Sequence, residues 1–404
     1  MITRPLDGML VVALEQAVAA PLASRHLADL GARVIKLERV DGGDFARHYD
    51  HAVNGMASHF VWLNRGKESV ALDLKTPAGR DVLARLLERA DVFLHNLGPG
   101  AVDRLGFSSA ELLAKHPRLV ICAMSGYGST GPYRDKRAYD LLVQSETALV
   151  AITGIPEHPA KAGIPVADIA SGMYTFANIL AALIHRERTG QGSAFEVTMF
   201  DALVEWMGHP ILATDHSGEA PPRVGLSHPV IAPYDAYPTA DGHEVVIGIQ
   251  NDREWVRLAT DVIGRPELAT DPEFATNVAR VRNRERVDTT VGEAIGKLGI
   301  DDAIAALDAA RIASARLNEV QDLIAHPQLV ARDRWRTAPT PVGDVRVLRS
   351  PMEPTGEAPT LAVPDLGEHT ASVLAEFGFS GDEVDAMASD GAVVCADSAL
   401  GGQV

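Results

Sequence analysis

The segment Ala162-Gly163-Ile164-Pro165-Val166-Ala167-Asp168-Ile169-Ala170-Ser171-Gly172-Met173 carries one acid, Asp168, at the head of a long apolar stretch. Beyond it, apolar residues recur at Ile169, Met173, Phe176, Leu180, Leu183 and Ile184, a helical period that Thr189-Gly190 ends after basic Arg186 and Arg188. The spacing predicts a helix with Asp168 at or near its N-cap. Capping alone accounts for an Asp there, because a short carboxylate accepts bonds from the free first-turn N–H groups. The same place suits a nucleophile. Those N–H groups and the helix dipole are expected to keep the carboxylate ionised and to offer donors to an oxyanion formed beside it.

Four loops marked by glycine or proline fall at predicted strand ends: Gln16 to Pro21, Leu63 to Lys67, His95 to Gly100, and Ser125 to Tyr133. Tight turns use these residues anyway, so their common edge is what gives them weight. Arg39, Arg65, Lys67, Lys75, Arg104, Arg134, Lys136 and Arg137 lie close by and are read either as a phosphate-binding rim or as ordinary solvated charge. Other chemistries lack their signatures. The fourteen histidines include no H-E-x-x-H and no close ligand cluster, so no metal is expected. Ser125-Gly126-Tyr127 is not the G-x-S-x-G of serine hydrolases.

The elements that must position these residues alternate. Strands are predicted at Met9–Leu14, Arg33–Glu38, Ser69–Leu74, Val92–His95, Leu119–Met124 and Ala194–Met199. Helices are predicted at Pro21–Leu30, Pro77–Ala90, Ser109–Lys115 and from Asp201 to Met207. This order implies an open, mostly parallel sheet covered by helices, with ligands at the carboxyl ends of its strands. No G-x-G-x-x-G supports dinucleotide binding. Five prolines between Ser217 and Pro238 suggest a crossing linker or binding loop. A smaller α+β unit follows, with a strand at Glu244–Ile249 and helices at Arg253–Val262 and Asn283–Leu298. A terminal helix at Glu368–Phe377 suggests that the chain returns to the first domain. The expected division is a large α/β domain over 1–215, a small α+β domain over 216–330, and a return over 331–404.

A chain of 404 residues exceeds one ordinary core. Its formal charge of −17 argues against nucleic acid or an anionic membrane as partner. Cys122 and Cys395 are too few for a disulfide framework and fit a reducing cytoplasm. The start, Met1-Ile2-Thr3-Arg4-Pro5-Leu6, has no signal-peptide pattern, and no apolar run approaches the roughly 18 residues of a membrane span.

Taken together, several segments resemble the class III CoA transferases, a family that includes the α-methylacyl-CoA racemases. They are Ala32 to Glu38, Leu72-Asp73-Leu74-Lys75-Thr76-Pro77, Asn96 to Gly106, the loop from Ser125 to Tyr133, Ala138-Tyr139-Asp140, Ala167 to Gly172, and Leu366-Gly367-Glu368-His369-Thr370. The resemblance implies a large Rossmann-like α/β domain built from both chain ends, a small domain from the middle, and an interlocked homodimer. It implies coenzyme A, as acyl-CoA substrate, lying against Ala17, Val18, Ala19, Arg39, Leu72, Lys75, Asn96, Leu97 and Arg104, with Lys136 added from the basic rim. Asp168 would be the nucleophile.

Racemases of this family carry a His before an Asp in the loop after the Gly-Tyr-Gly segment. Here that position is Tyr139, whose phenol, with a reference pKa of about 10, is a poor base at neutral pH. Transfer of CoA between a dicarboxylyl-CoA such as succinyl-CoA and a small carboxylic acid is therefore the reading. Racemisation and a binding-only subunit of a hetero-oligomer are the alternatives. Arg223-Val224-Gly225-Leu226-Ser227-His228-Pro229 resembles a segment of members that handle C4–C5 dicarboxylates, so Arg223 and His228 are candidates for a distal carboxylate, as are Arg47 and Tyr139. Gly248 is read either as part of a closing loop or as a strand-end turn. Gly163 and Gly172 are expected to leave space near CoA.

Overall fold

Short runs of Val, Ile, Leu and Ala form six strands of one parallel sheet: β1 Leu10–Leu14, β2 Arg33–Glu38, β3 Lys67–Leu72, β4 Val92–His95, β5 Val120–Ser125 and β6 Ser193–Thr198. The structure is a computed structural model that describes residues 4–352 and 361–396. The sheet order is 3-2-1-4-5-6, and the short strand Val393–Val394 adds antiparallel to β3 at the edge. Successive side chains of a strand point to opposite faces, so each needs its own cover. Leu10 and Val12 enter one core with Ile35, Val70 and Phe93; Val11 and Ala13 enter another with Val34, Leu94 and Val120.

Four helices matter to the site: α1 Ala19–Asp29, α2 Pro77–Arg89, α3 Asp140–Glu146 and α4 Val166–Thr189. The first face is covered by α2 through Val82, Leu83, Leu86 and Leu87, and by the C-terminal helix Thr370–Glu376 through Val373 and Leu374. On the second face lie Ala20, Ala23 and Leu27 of α1 and Phe176, Ile179 and Leu183 of α4. A fully buried Leu or Ile contributes about 2 kcal/mol, so this face alone holds α4 down firmly. With a mean hydropathy of 1.4 over an 18-residue window, α4 has the length and apolar content of a membrane span. That apolar content is used against α1 and the sheet.

Gly172 permits the crossing of α1 and α4. A Cβ there would lie 2.7 Å from the Ala19 carbonyl oxygen and 3.2 Å from Leu22 Cβ. The space expected near CoA is thus filled by α1, whereas nothing lies within 4 Å of a Cβ on Gly163. Gly190 ends α4 in the left-handed conformation, φ 76°, returning its N–H to Arg186 O at 2.7 Å.

The chain divides into two compact units. The sheet and its helices belong to Met1–Leu149, Ala162–His209 and Asp333–Val404; Val150–Lys161 and Pro210–Arg332 form the other. The second unit holds a three-stranded antiparallel sheet of β7 Tyr234–Pro238, β8 Glu244–Gly248 and β9 Ala313–Arg316, with β8 in the centre. Its core includes Val245, Ile247, Trp255, Phe274 and Val291. Strand β7 corrects, at the end of the proline-rich stretch, the expectation of a linker or binding loop. Pro233 precedes the strand and Pro238 ends it, where a missing N–H costs least.

Candidate active site

In a sheet of order 3-2-1-4-5-6 the connections leave in opposite directions from β1 and β4, opening a crevice at their carboxyl ends. The loops after these strands are joined there. Asn96 Oδ1 accepts the Gln16 N–H at 3.0 Å, and Asn96 Nδ2 donates to Gln16 O at 2.8 Å. Ala17 follows with φ 65°, a conformation alanine avoids, and donates its N–H to Asp44 Oδ1 at 2.8 Å. Val18 and Leu22 then pack with Leu63, and Ile169 of α4 packs against them, which sets the loop from Gln16 to Val18 beside the start of α4.

Asp168 is the third residue of α4, not its cap. Asp140, at the start of α3, performs the capping: its Oδ1 accepts the Ala167 N–H at 2.8 Å. Gln144 secures Asp140 by donating Nε2 to Oδ2 at 2.6 Å, and its own Oε1 accepts the Ala162 N–H at 2.9 Å. Among the described residues the Asp168 carboxylate has no hydrogen-bond partner. Burial, with the Asp140 carboxylate adding to it, pushes Asp168 up to about 7. The expectation that helix N–H groups hold it firmly ionised is therefore corrected, because the nearest of those groups is spent on Asp140. Tyr49 shares this field: burial first, then Asp44, Asp168 and Tyr139, raise its phenol. Tyr139 immediately precedes α3 and is 69% exposed.

Under the loop lies a buried set of charges that sequence could not pair. Lys36 Nζ contacts Asp44 Oδ2 at 2.7 Å and Glu15 Oε1 at 3.5 Å; Lys67 Nζ contacts Glu15 Oε1 at 2.6 Å. Arg47 grips Glu38 with Nε and Nη2 at 2.9 and 2.8 Å and lies over the Phe60 ring at 3.8 Å. Burial alone would raise Glu38, yet the Arg47 fork holds it at about 2. Burial lowers Lys67 to about 7 against the pull of Glu15. These contacts correct three expectations. Arg47 is committed to Glu38 and not open to a substrate carboxylate. Lys67 is sealed inside, and Arg65 is paired with Asp29 at 3.0 Å, so neither belongs to a phosphate rim.

A cavity of about 540 Å³ opens along the ends of β1 to β3, lined among others by Leu37, Arg39, Phe45, Leu72, Lys75 and Leu97. Arg39 donates to Gly43 O at 3.1 Å and covers the Phe45 ring at 4.6 Å. Four of the expected CoA residues, Arg39, Leu72, Lys75 and Leu97, thus line one cavity; Ala17 and Val18 lie in the loop after β1, Ala19 begins α1, Asn96 follows β4, and Arg104 ends the short helix Ala101–Arg104. Among the described residues neither Lys75 nor Arg104 forms an ion pair. Apolar walls with Lys75 among them suit a ligand that carries both a flat ring and phosphates. Lys136 is paired with Glu146 and lies over the Tyr133 ring at 4.1 Å, so its ammonium is committed there.

The candidates Arg223, His228 and Gly248 lie in the second unit. Arg223 donates to the carbonyls of Ile155, Ala151 and Pro156 at 3.0, 2.9 and 2.8 Å, pinning the Gly154–Pro159 hairpin. That use corrects its assignment to a substrate carboxylate. His228 stacks on Tyr234 with centroids 5.3 Å apart, and a Cβ on Gly248 would meet the same ring at 3.5 Å, so these three form one cluster. Sequence reasoning missed Asp44, Gln144, Tyr49 and the capping role of Asp140. Asp140 stood in a quoted motif, but its target Ala167 lies 27 positions away.

Comparison with known proteins covers nearly the whole chain. The model of CoA-transferase family III matches residues 6–370. An acetyl-CoA:oxalate CoA-transferase of Acetobacter aceti is 35% identical over 380 residues, spanning 92% of this chain and 96% of that one. A succinate–glutarate CoA-transferase of Agrobacterium fabrum is 35% identical over 386 residues, 92% and 95% of the two chains. The crystal structure of a CaiB/BaiF family protein from Brucella suis superposes with a TM-score of 0.81 at 36% identity, covering 92% of this chain and 99% of that one.

Proposed function

The chain belongs to CoA-transferase family III and is an acyl-CoA:carboxylate CoA-transferase, and on that premise we propose that Asp168 carries first the acyl group and then CoA. The observation that supports this most is a carboxylate at the head of α4, without a hydrogen-bond partner among the described residues and raised to about 7 by burial and then by Asp140. A carboxylate made more basic in this way is a better nucleophile while still ionisable near neutrality.

Asp168 attacks the thioester carbonyl of the donor, expelling CoA thiolate and forming a mixed anhydride. The thiolate then attacks the aspartyl carbonyl, releasing the donor acid and leaving an aspartyl-CoA thioester. An acceptor carboxylate attacks that thioester, regenerating an anhydride and free thiolate, and the thiolate collects the acceptor acyl group. Asp168 returns unchanged. The loop from Gln16 to Val18 borders the reacting carbonyl, while Arg39, Lys75 and Arg104 meet the phosphates and Leu72 and Leu97 the adenine. Because an anhydride hydrolyses, this route requires that water be kept from the intermediate.

The acids exchanged are small dicarboxylates of the C4–C5 class, with succinyl-CoA as donor. Relatives named for succinate and glutarate support this, and Tyr139 remains a residue proposed to meet the acceptor. The working form is an interlocked homodimer, supported by exposed Leu141, Leu142, Ile164 and Ile184 around α3 and α4. A cytoplasmic setting suits a chain in which neither cysteine forms a disulfide. A panel of CoA donors against mono- and dicarboxylic acids, run with wild type and Asp168→Ala, tests the reading. Exchange confined to wild type, with CoA binding kept in the variant, is the expected result; undiminished exchange by Asp168→Ala contradicts it.

A further inference from the structure

Ala17 is one of five non-glycine residues with positive φ among the described residues, and it precedes Val18, which packs with Ile169, the residue after Asp168. Left-handed backbone disfavours alanine by roughly tenfold or more in population, so something must hold it. Asn96 fixes only the neighbouring Gln16. The Ala17 N–H itself goes to Asp44 Oδ1 at 2.8 Å, an oxygen that also accepts the Ala46 N–H at 2.9 Å. The other Asp44 oxygen receives Lys36 Nζ at 2.7 Å, and the Asp44 backbone N–H donates to Glu38 Oε2 at 3.0 Å. Lys36, Asp44, Glu15 and Glu38 are all buried, at 0%, 2%, 4% and 4% exposure. In that setting a charged acceptor binds an N–H more strongly than a neutral one, and the lysine fixes which way it faces.

We propose that Asp44, oriented by Lys36, is a positioning residue of the transferase that holds Ala17 in its left-handed conformation and so fixes the Gln16–Ala17–Val18 backbone next to Asp168. This rests on the reading of Asp168 as the acyl-accepting group. Among the described residues the Asp44 side chain bonds to Ala17, Ala46 and Lys36 and not to Asp168. Its effect passes through one backbone N–H, and the strain it overcomes belongs to the Cβ of a single alanine.

That last point gives the test. Glycine adopts positive φ without penalty, so Ala17→Gly removes the need for Asp44. The experiment is a double-mutant cycle on kcat/KM for CoA exchange with Asp44→Ala and Ala17→Gly, repeated with the pair Lys36→Met/Asp44→Leu, which replaces the buried ions with apolar groups of similar size and guards against misfolding. The expected loss from removing Asp44 is about tenfold or more in the Ala17 background and under about threefold in the Ala17→Gly background, while the melting temperature falls equally in both. An equal loss of kcat/KM in the two backgrounds, in folded protein, overturns the proposal. Failure of the Asp168 reading is distinguished separately, because it would appear as exchange activity surviving in Asp168→Ala.

Discussion

Asp140 Oδ1 receives the Ala167 N–H at 2.8 Å, so the cap of α4 is an acid from another helix and Asp168, one residue beyond, is left as a second carboxylate in the same small volume. Two like charges this close oppose each other's ionisation. The arrangement ties the basicity of Asp168 to the charge of its neighbour.

Asp140→Asn should therefore move the acid limb of kcat/KM to lower pH. In wild type the limb is expected at about 7, where burial and then Asp140 place Asp168. Asparagine keeps an oxygen for the Ala167 N–H and removes the charge, so Asp168 titrates lower, although burial keeps it above an ordinary carboxylate. A pH–rate profile of the variant with its limb unmoved would show that Asp140 acts only as a cap.

Stability should respond to the nucleophile in the opposite direction from activity. Asp168 has a folded pKa above its unfolded value, so its contribution is fully present below the unfolded value near 4 and is lost as pH rises through about 7. Asp168→Asn should then be more stable than wild type at pH 8, on the order of 2 kcal/mol after discounting for the group's partial exposure, with little difference at pH 4. Thermal melts across that range measure it; a variant no more stable at pH 8 than at pH 4, relative to wild type, would contradict the shift.

Much of the sheet was legible because its signals are local. The apolar runs of Arg33–Glu38 and Val92–His95 and the helix Ser109–Lys115 occupy the expected residues. Helix α1 starts at Ala19, two residues before the proline taken as its beginning, because a proline in the first turn has no intrahelical N–H to lose. Strand Val393–Val394 is too short to carry any period. The site was legible as a set of residue types but not as a set of partners. Lys67 and Glu15 are 52 positions apart and Arg65 and Asp29 36, and charge alone does not distinguish a buried pair from a phosphate rim. The family resemblance singled out Asp168; only geometry assigned the cap to Asp140.

Lys75 and Arg104 should behave as binding residues with no part in the fold. Neither has an ion-pair partner among the described residues, so Lys75→Ala and Arg104→Ala are expected to raise KM for acyl-CoA several-fold, to flatten its salt dependence, and to leave kcat and the melting temperature nearly unchanged. Steady-state kinetics at two ionic strengths checks this. A fall in kcat at unchanged KM would place these cations elsewhere.

The account stands most directly on a covalent link between CoA and Asp168. Wild-type protein mixed with donor acyl-CoA in the absence of an acceptor, quenched in acid and read by mass spectrometry, should gain the mass of CoA less one water on the peptide that contains Asp168. Addition of the acceptor acid should remove that mass as acceptor acyl-CoA appears. Turnover without any adduct on Asp168, or with the adduct on another residue, would contradict the central claim.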